Sequence, residues 1–166
     1  QIDVLSSIST AFSHFAELPA QKNENIDIIS TTKLALEIFN EQNIIFQSKL
    51  GSLNVKIDRT NLIRVITNLI KNAIQATENI KDSKIIVSVK KLRNKAIIEI
   101  EDNGDGIPRK NRDKIFEPKF TTKSKGMGLG LSIIKNLVTN YNGKIDFISK
   151  KGKTIFKIEL PIHKNV

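Results

Sequence analysis

Two glycine-rich segments hold the residues best suited to chemistry. Asp102-Asn103-Gly104-Asp105-Gly106-Ile107-Pro108 follows an apolar, strand-like run from Ala96 to Ile100. Gly126-Met127-Gly128-Leu129-Gly130-Leu131 opens an amphipathic, helix-like run that continues to Tyr141. Glycines ahead of a helix let backbone N–H groups approach and hold phosphates. An acidic turn at the end of a strand can accept a hydrogen bond from a neutral donor such as a base amino group. Together the two segments predict a nucleotide site, with a base end at Asp102 and a phosphate end at Gly126 to Gly130.

Asn68 and Asn72 add a third element. They lie four residues apart, on one face of a predicted helix, beside the apolar residues Leu69, Ile70 and Ala73. A pair of solvated amides is the plain alternative. Buried amides must find partners, and an Mg2+ ion with its waters and phosphate oxygens would supply them. The acidic turn superficially resembles a calcium loop. However, the glutamate that closes an EF-hand at its twelfth position is missing, because that place holds Asp113. Either glycine segment taken alone is weak evidence. Their order along the chain, with the asparagines ahead of both, is what makes the pattern specific.

These residues need elements to position them. Ile2, Leu5, Ile8, Phe12 and Phe15 recur at helical spacing up to Pro19, and Gln21 to Asn25 reads as a linker. A second helix is predicted from Ile26 to Phe39, and short strands at Ile44 to Phe46 and Leu53 to Ile57. Asp58 is an N-cap for a long helix reaching about Glu78, with Leu62, Val65, Ile66, Leu69, Ile70, Ala73 and Ile74 on its apolar face. Lys84 to Leu92 and Lys95 to Glu101 read as paired strands. Lys110 to Lys125 lacks periodicity and reads as a mobile loop. A helix from Leu131 to Tyr141 ends at Asn142-Gly143, and Lys144 to Ser149 pairs with Thr154 to Leu160 around Lys151-Gly152-Lys153. Strands adjacent to strands, with helices in separate blocks, predict an α+β fold with a sheet covered by helices on one face.

Composition limits the alternatives. The 166 residues fit one domain with a short appended element, and a hydrophobic content of 39% is enough for a core. With eight Phe, one Tyr and no Trp, that core must be mostly Ile, Leu and Val. The absence of cysteine excludes disulfides and thiolate metal sites and suits a reducing cytoplasm. No apolar run approaches a membrane span and no signal peptide is visible, while a first residue of Gln leaves room for membrane segments upstream. The net charge of +10 invites a nucleic-acid role. The lysines are spread along the whole chain rather than gathered in a stripe, which argues against one.

The ordered motifs resemble the ATP-binding domain of sensor histidine kinases, in the GHKL superfamily shared with gyrase, MutL and heat-shock chaperone ATPases. Asn68 to Ala73 is similar to the N box, Asp102 to Pro108 to the G1 box, Ile115 to Lys123 to the F box and start of an ATP lid, and Gly126 to Leu131 to the G2 box. Thr154 to Pro161 resembles the closing strand. The match runs from about residue 26 to 162 and is closest to the nitrogen-regulation branch, NtrB and NtrY-like. The resemblance implies a two-layer sandwich, with a mixed, mostly antiparallel sheet under about three helices. It implies domain limits of 1–20 for the end of a dimerisation helix, 21–25 for a linker, 26–162 for the catalytic domain and 163–166 for a tail.

It also implies roles. Asn72 would bind Mg2+, and Asn68 stands where the superfamily's ATPases place a general-base Glu, so hydrolysis should be slow and transfer to a protein favoured. Asp102 would accept from the adenine amino group, Gly106 and Ile107 would line the base pocket beside Gly104, and Thr154 would act nearby through water. Gly126, Met127, Gly128, Leu129, Gly130 and Leu131 would bring backbone to the phosphates, with Lys123 or Lys125 touching phosphate from the lid. Phe116 and Phe120 would anchor that lid. Where many histidine kinases have a basic residue and an aromatic after the second N-box Asn, this chain has Gln75 and Ala76, which puts contacts from that turn in doubt. Neither His14 nor His163 sits in a phosphoacceptor context. The implied partners are therefore a histidine-bearing dimerisation domain of the same protein, a homodimer in the full-length parent, and a response-regulator receiver domain. No nucleic acid is expected. The implied location is the cytoplasm, with membrane anchoring only through the parent's upstream part. A nucleotide-binding pseudokinase and a mechanical GHKL-type ATPase are the alternatives.

Overall fold

The computed structural model describes residues 22–118, 120 and 130–163. The helix expected over residues 1–17 and most of the expected lid lie outside the described residues.

The chain enters through strand β1 (Glu24–Asp27) and passes directly into helix α1 (Ile28–Leu36). The sequence predicts one helix from Ile26 to Phe39; instead Ile26 is a strand residue and the helix is shorter at both ends. Two things break the periodicity. Asn25 and Ile26 pair with Lys56 and Val55 of strand β3 (Asn54–Ile57). Asp27 then caps the helix, its carboxylate accepting from the Ile29 and Ser30 N–H groups at 3.1 and 3.3 Å. The same carboxylate accepts from Leu53 N–H at 2.9 Å. Burial works against its charge, but these backbone donors hold its pKa below the ordinary value. The strand starts inside the stretch that reads as a linker.

The main sheet has five strands: β2 (Ile44–Gln47), β4 (Ile85–Leu92), β5 (Lys95–Asp102), β7 (Lys153–Pro161) and β6 (Lys144–Lys150), in that spatial order. Strand β2 runs parallel to β4 and every other pair is antiparallel. β1 and β3 form a separate two-stranded sheet, joined to the end of β7 by a single bridge between Val55 and Ile162. One face of the main sheet packs on helices α1, α2 (Arg59–Ala76) and α4 (Gly130–Asn140). The α+β sandwich expected from the sequence is the architecture found. The segment read as a featureless loop contains one helical turn, α3 (Arg109–Arg112), started by Pro108.

Helix α2 is positioned by its own pattern. Asp58 caps it by accepting from Asn61 N–H at 3.1 Å, and Leu62, Val65, Ile66, Leu69, Ile70 and Ala73 are buried against the sheet. Val87, Val89, Ile98, Ile100, Phe156 and Ile158 meet that face, so the core is aliphatic as the composition requires. On the open face the acidic side chains pair with lysines. Glu159, held between Lys95 and Lys157 at 2.6 and 2.8 Å, has its pKa pulled down to about 2 by those two partners. Among the described residues, no helix is long and apolar enough to cross a membrane.

Candidate nucleotide site

One end of the candidate site is a row of three buried polar side chains in an otherwise apolar face. Asp102 ends β5, pairs in register with Thr154 on β7, and Thr154 pairs with Ser149 on β6. They are 3%, 4% and 8% exposed. The Asp102 carboxylate accepts from Gly104 N–H at 2.9 Å. Burial pushes its pKa up. The Gly104 N–H opposes that shift, and the neighbouring Glu101 charge adds to it. A buried acceptor facing a neighbouring hydroxyl can recognise a neutral donor.

The turn after Asp102 is pinned on all sides. Asn103 accepts from Lys84 N–H and donates to the Asp82 carbonyl, both at 2.8 Å, continuing the β4–β5 pairing one residue past its end. Gly152 N–H donates to the Gly104 carbonyl at 2.9 Å. Ile107 N–H donates to Ser149 Oγ at 2.7 Å, and Arg112 Nε donates to the Ile107 carbonyl at 3.0 Å. The glycines allow this closeness. A Cβ on Gly104 would stand 2.4 Å from the Ala76 carbonyl oxygen at the end of α2. A Cβ on Gly106, whose φ is +82°, would stand 2.5 Å from the Lys150 carbonyl oxygen.

The other end is built by α2 and α4. Asn68 and Asn72 are half-buried on α2, and Asn68 Nδ2 donates to the Arg64 carbonyl at 2.8 Å. Asn68 Oδ1 lies 3.8 Å from where a Cβ on Gly130 would stand, so the asparagine helix borders the first turn of α4. A helix N-terminus carries a partial positive charge that suits an anion. Leu131 packs half-buried on the core. Lys123, Gly126, Met127, Gly128 and Leu129 lie outside the described residues. Phe116, after α3, meets Phe147 and Phe156 edge-on at 5.9 and 6.5 Å, with Lys135 Nζ 5.5 Å from its ring centre. It anchors the start of the segment between the two glycine motifs to the sheet.

The structure thus brings Asp102, Gly104, Gly106, Ile107 and Thr154 together at one end, and Asn68 and Gly130 at the other. Sequence reading did not single out Ser149 or Asn103. Ser149 left a signal: it is a polar residue in phase with Ile145 and Phe147 on the core face of β6. Asn103 left none, because its two partners lie about twenty residues away, across a strand pairing.

Residues 57–164 match the profile of the family described as histidine kinase-, DNA gyrase B-, and HSP90-like ATPases. The chain belongs to that family. Among curated relatives, it is 32% identical over 151 residues to a putative NtrY-like sensor histidine kinase of Rickettsia bellii, covering 89% of this chain and 25% of the relative. It is 32% identical over 158 residues to the sensory histidine kinase/phosphatase NtrB of Vibrio alginolyticus, covering 87% and 45%. The chain therefore spans less than half the length of these relatives. The catalytic domain of histidine kinase ThkA superimposes with a TM-score of 0.75 at 31% identity, covering 84% of this chain and 95% of that one. ThkA has also been solved in complex with the response regulator TrrA, where the TM-score is 0.79 at 25% identity over 98% of this chain and 48% of that one. Within the ATPase family, these curated relatives are sensor histidine kinases of the nitrogen-regulation type, and the fold is that of a histidine kinase catalytic domain.

Proposed function

We propose that this domain binds ATP with Mg2+ and transfers the γ-phosphoryl group to a histidine on a dimerisation domain of the same protein. The observation that carries the reading is the buried Asp102 acceptor, held in a turn with no space for a Cβ at Gly104 or Gly106 and lying in the same sheet-and-helix frame as the α4 N-terminus. Asp102 accepts from the adenine amino group. The first turn of α4, with the G2-box backbone, receives phosphate. The donor type fits Mg2+: Asn72, half-buried on α2 one turn beyond Asn68, carries a hard amide oxygen. A hard ion there would rest on the Asn72 amide oxygen together with phosphates and water, as Mg2+ does. Bound Mg2+ would neutralise phosphate charge.

Asn68 decides what happens next. An amide takes no proton from water, so hydrolysis lacks a base at this position. An imidazole needs none, because its unprotonated nitrogen attacks the γ-phosphorus directly. The P–N bond forms, the bond to the β-phosphate oxygen breaks, and its electron pair leaves with ADP. ATP supply places the domain in the cytoplasm. By the same reading the partners are the histidine-bearing domain, in a homodimeric parent, and a response-regulator receiver domain that takes the phosphoryl group onward.

Mixing the chain with a histidine-bearing dimerisation-domain fragment and γ-labelled ATP should give acid-labile label on that fragment. Bound ATP with no label transferred would identify a pseudokinase, and rapid ATP hydrolysis without a partner would identify a mechanical ATPase. The raised pKa of Asp102 adds a pH signature. The ionised carboxylate only accepts, and one oxygen already accepts from Gly104 N–H; protonation puts a donor on the carboxyl group and weakens it as an acceptor for the amino group. ATP affinity should therefore fall on acidification, starting at higher pH than for an exposed aspartate, as titration calorimetry across pH would show.

A further inference from the structure

The sheet face opposite the helices is sealed at one end and open at the other. Ile97, on that face of β5, is 1% exposed although it lies outside the core cluster under the helices. Its register partners are Lys90 on β4 and Glu159 on β7. The ion pairs Lys90–Glu99 and Lys95–Glu159, at 2.7 and 2.6 Å, flank it on either side. Lysine stems held in such pairs cover apolar surface and keep water off it. This sheet therefore hides an apolar residue on its open face without a partner.

Further along the same face that cover is missing. Ile45, Ile86, Glu101, Ile155 and Ile148 stand in register across all five strands, from one sheet edge to the other. Ile148 is 72% exposed and Ile45 40%. Glu101, in the middle of the row, is neutralised by Lys153 at 3.1 Å. A row of cations runs beside it, towards the β6–β7 turn. Lys84 stands two residues before Ile86 and so on the same face, and Lys153 pairs in register with Lys150. Among the described residues, neither Lys84 nor Lys150 takes part in an ion pair. The acids of this face, Glu99, Glu101, Asp146 and Glu159, each lie within 3.4 Å of a lysine nitrogen. The apolar row thus carries unanswered positive charge along one flank.

We propose that this row is a docking surface for an acidic amphipathic helix lying across the strands. Spacing selects a helix. Neighbouring strands are about 4.8 Å apart, close to the rise of about 5.4 Å per helical turn, so one side chain per turn falls on each successive strand. Five strands are about 19 Å across, the length of about 13 helical residues. An extended segment repeats its same-face side chains every ~6.7 Å and falls out of step. Charge selects the flank. Carboxylates along one side of the apolar stripe meet Lys84 and Lys150, the cations that the sheet leaves unanswered. The middle turn, over the Glu101–Lys153 pair, takes a small or polar residue. The row lies on the sheet face opposite Asp102 and Thr154, so docking there is independent of the nucleotide reading.

The test titrates the isotope-labelled chain with cross-linked helical peptides of about 14 residues, since free peptides of that length are marginal helices. One has a leucine stripe flanked by glutamates. The second replaces those glutamates with lysines, and the third keeps the acidic composition with the stripe scrambled. The first should shift the backbone amide resonances of Ile45, Ile86, Ile155 and Ile148, and bind about tenfold more tightly than either control. Ile148→Ser should weaken it about tenfold by removing one apolar contact. At 72% exposure that side chain adds little to the fold. Lys150→Glu should weaken the acidic peptide and strengthen the basic one. Equal binding of the acidic and basic peptides would overturn the proposal, as would binding that neither substitution alters. Two rival occupants would overturn it too. Self-association in sedimentation that Ile148→Ser abolishes would make the partner a second copy of this chain. Phosphatidylserine vesicles that bind the unmodified chain but not Ile148→Ser would make it a membrane.

Discussion

Replacing Asp102 with asparagine should weaken ATP binding about 100-fold while raising the melting temperature of the nucleotide-free domain at neutral pH. The two effects have one origin. Asp102 is 3% exposed, and its pKa is raised by burial despite the Gly104 N–H bond. A group with a raised folded-state pKa adds its full stability below its ordinary pKa, and that contribution is lost as pH rises through the folded value. At neutral pH the ionised carboxylate is therefore a cost to the empty fold. Asparagine keeps an oxygen for Gly104 N–H and removes the charge. It also turns an acceptor toward the base into an amide whose nitrogen faces the adenine amino group, donor against donor. Sites built around a specific hydrogen bond penalise such a mismatch heavily. The pH dependence of ATP binding should flatten in this variant. Calorimetric titration and thermal melting would show both effects, and a joint loss of binding and stability would contradict the account.

Gly106→Ala should destabilise the domain by about 2–4 kcal/mol and abolish measurable ATP binding, because two separate penalties meet at one residue. The backbone φ of +82° is strained for any side chain, and the new Cβ would fall 2.5 Å from the Lys150 carbonyl oxygen. Backbone cannot step aside without displacing the β6–β7 hairpin that carries Ser149 and Thr154. Gly152 separates the two penalties. Its φ is +80° but nothing lies within 4 Å of its would-be Cβ. Gly152→Ala should therefore cost only about 1 kcal/mol and leave binding near normal. Chemical denaturation of both variants would check the difference, and equal losses would show that backbone strain alone dominates.

The contrast between those glycines shows where reading the chain succeeds. Local periodicity and capping residues placed α2, the β4–β5 pair and the β6–β7 hairpin, because an 18-residue amphipathic face and alternating strands leave few other solutions. The motif order singled out the candidate site for the same reason: turn glycines and strand-end acids are local chemistry. Reading failed at Ile26, where apolar spacing alone suggested helix. The deciding interactions were pairing with β3 and the Asp27 cap, and the first of these comes from a strand almost thirty residues downstream. It also missed α3, a single turn too short to show a period.

By itself the sequence determined the α+β architecture and the aliphatic core and marked the residues of the candidate site, since each follows from near-neighbour pattern and residue type. Only the tertiary structure decided how those residues work as a set. It aligned Asp102, Thr154 and Ser149 across three strands, pressed the Gly104 turn against the end of α2, and brought Asn68 beside Gly130. Strand order and register create these contacts. They join residues distant in sequence, and no local preference along the chain encodes which side chain will stand opposite which.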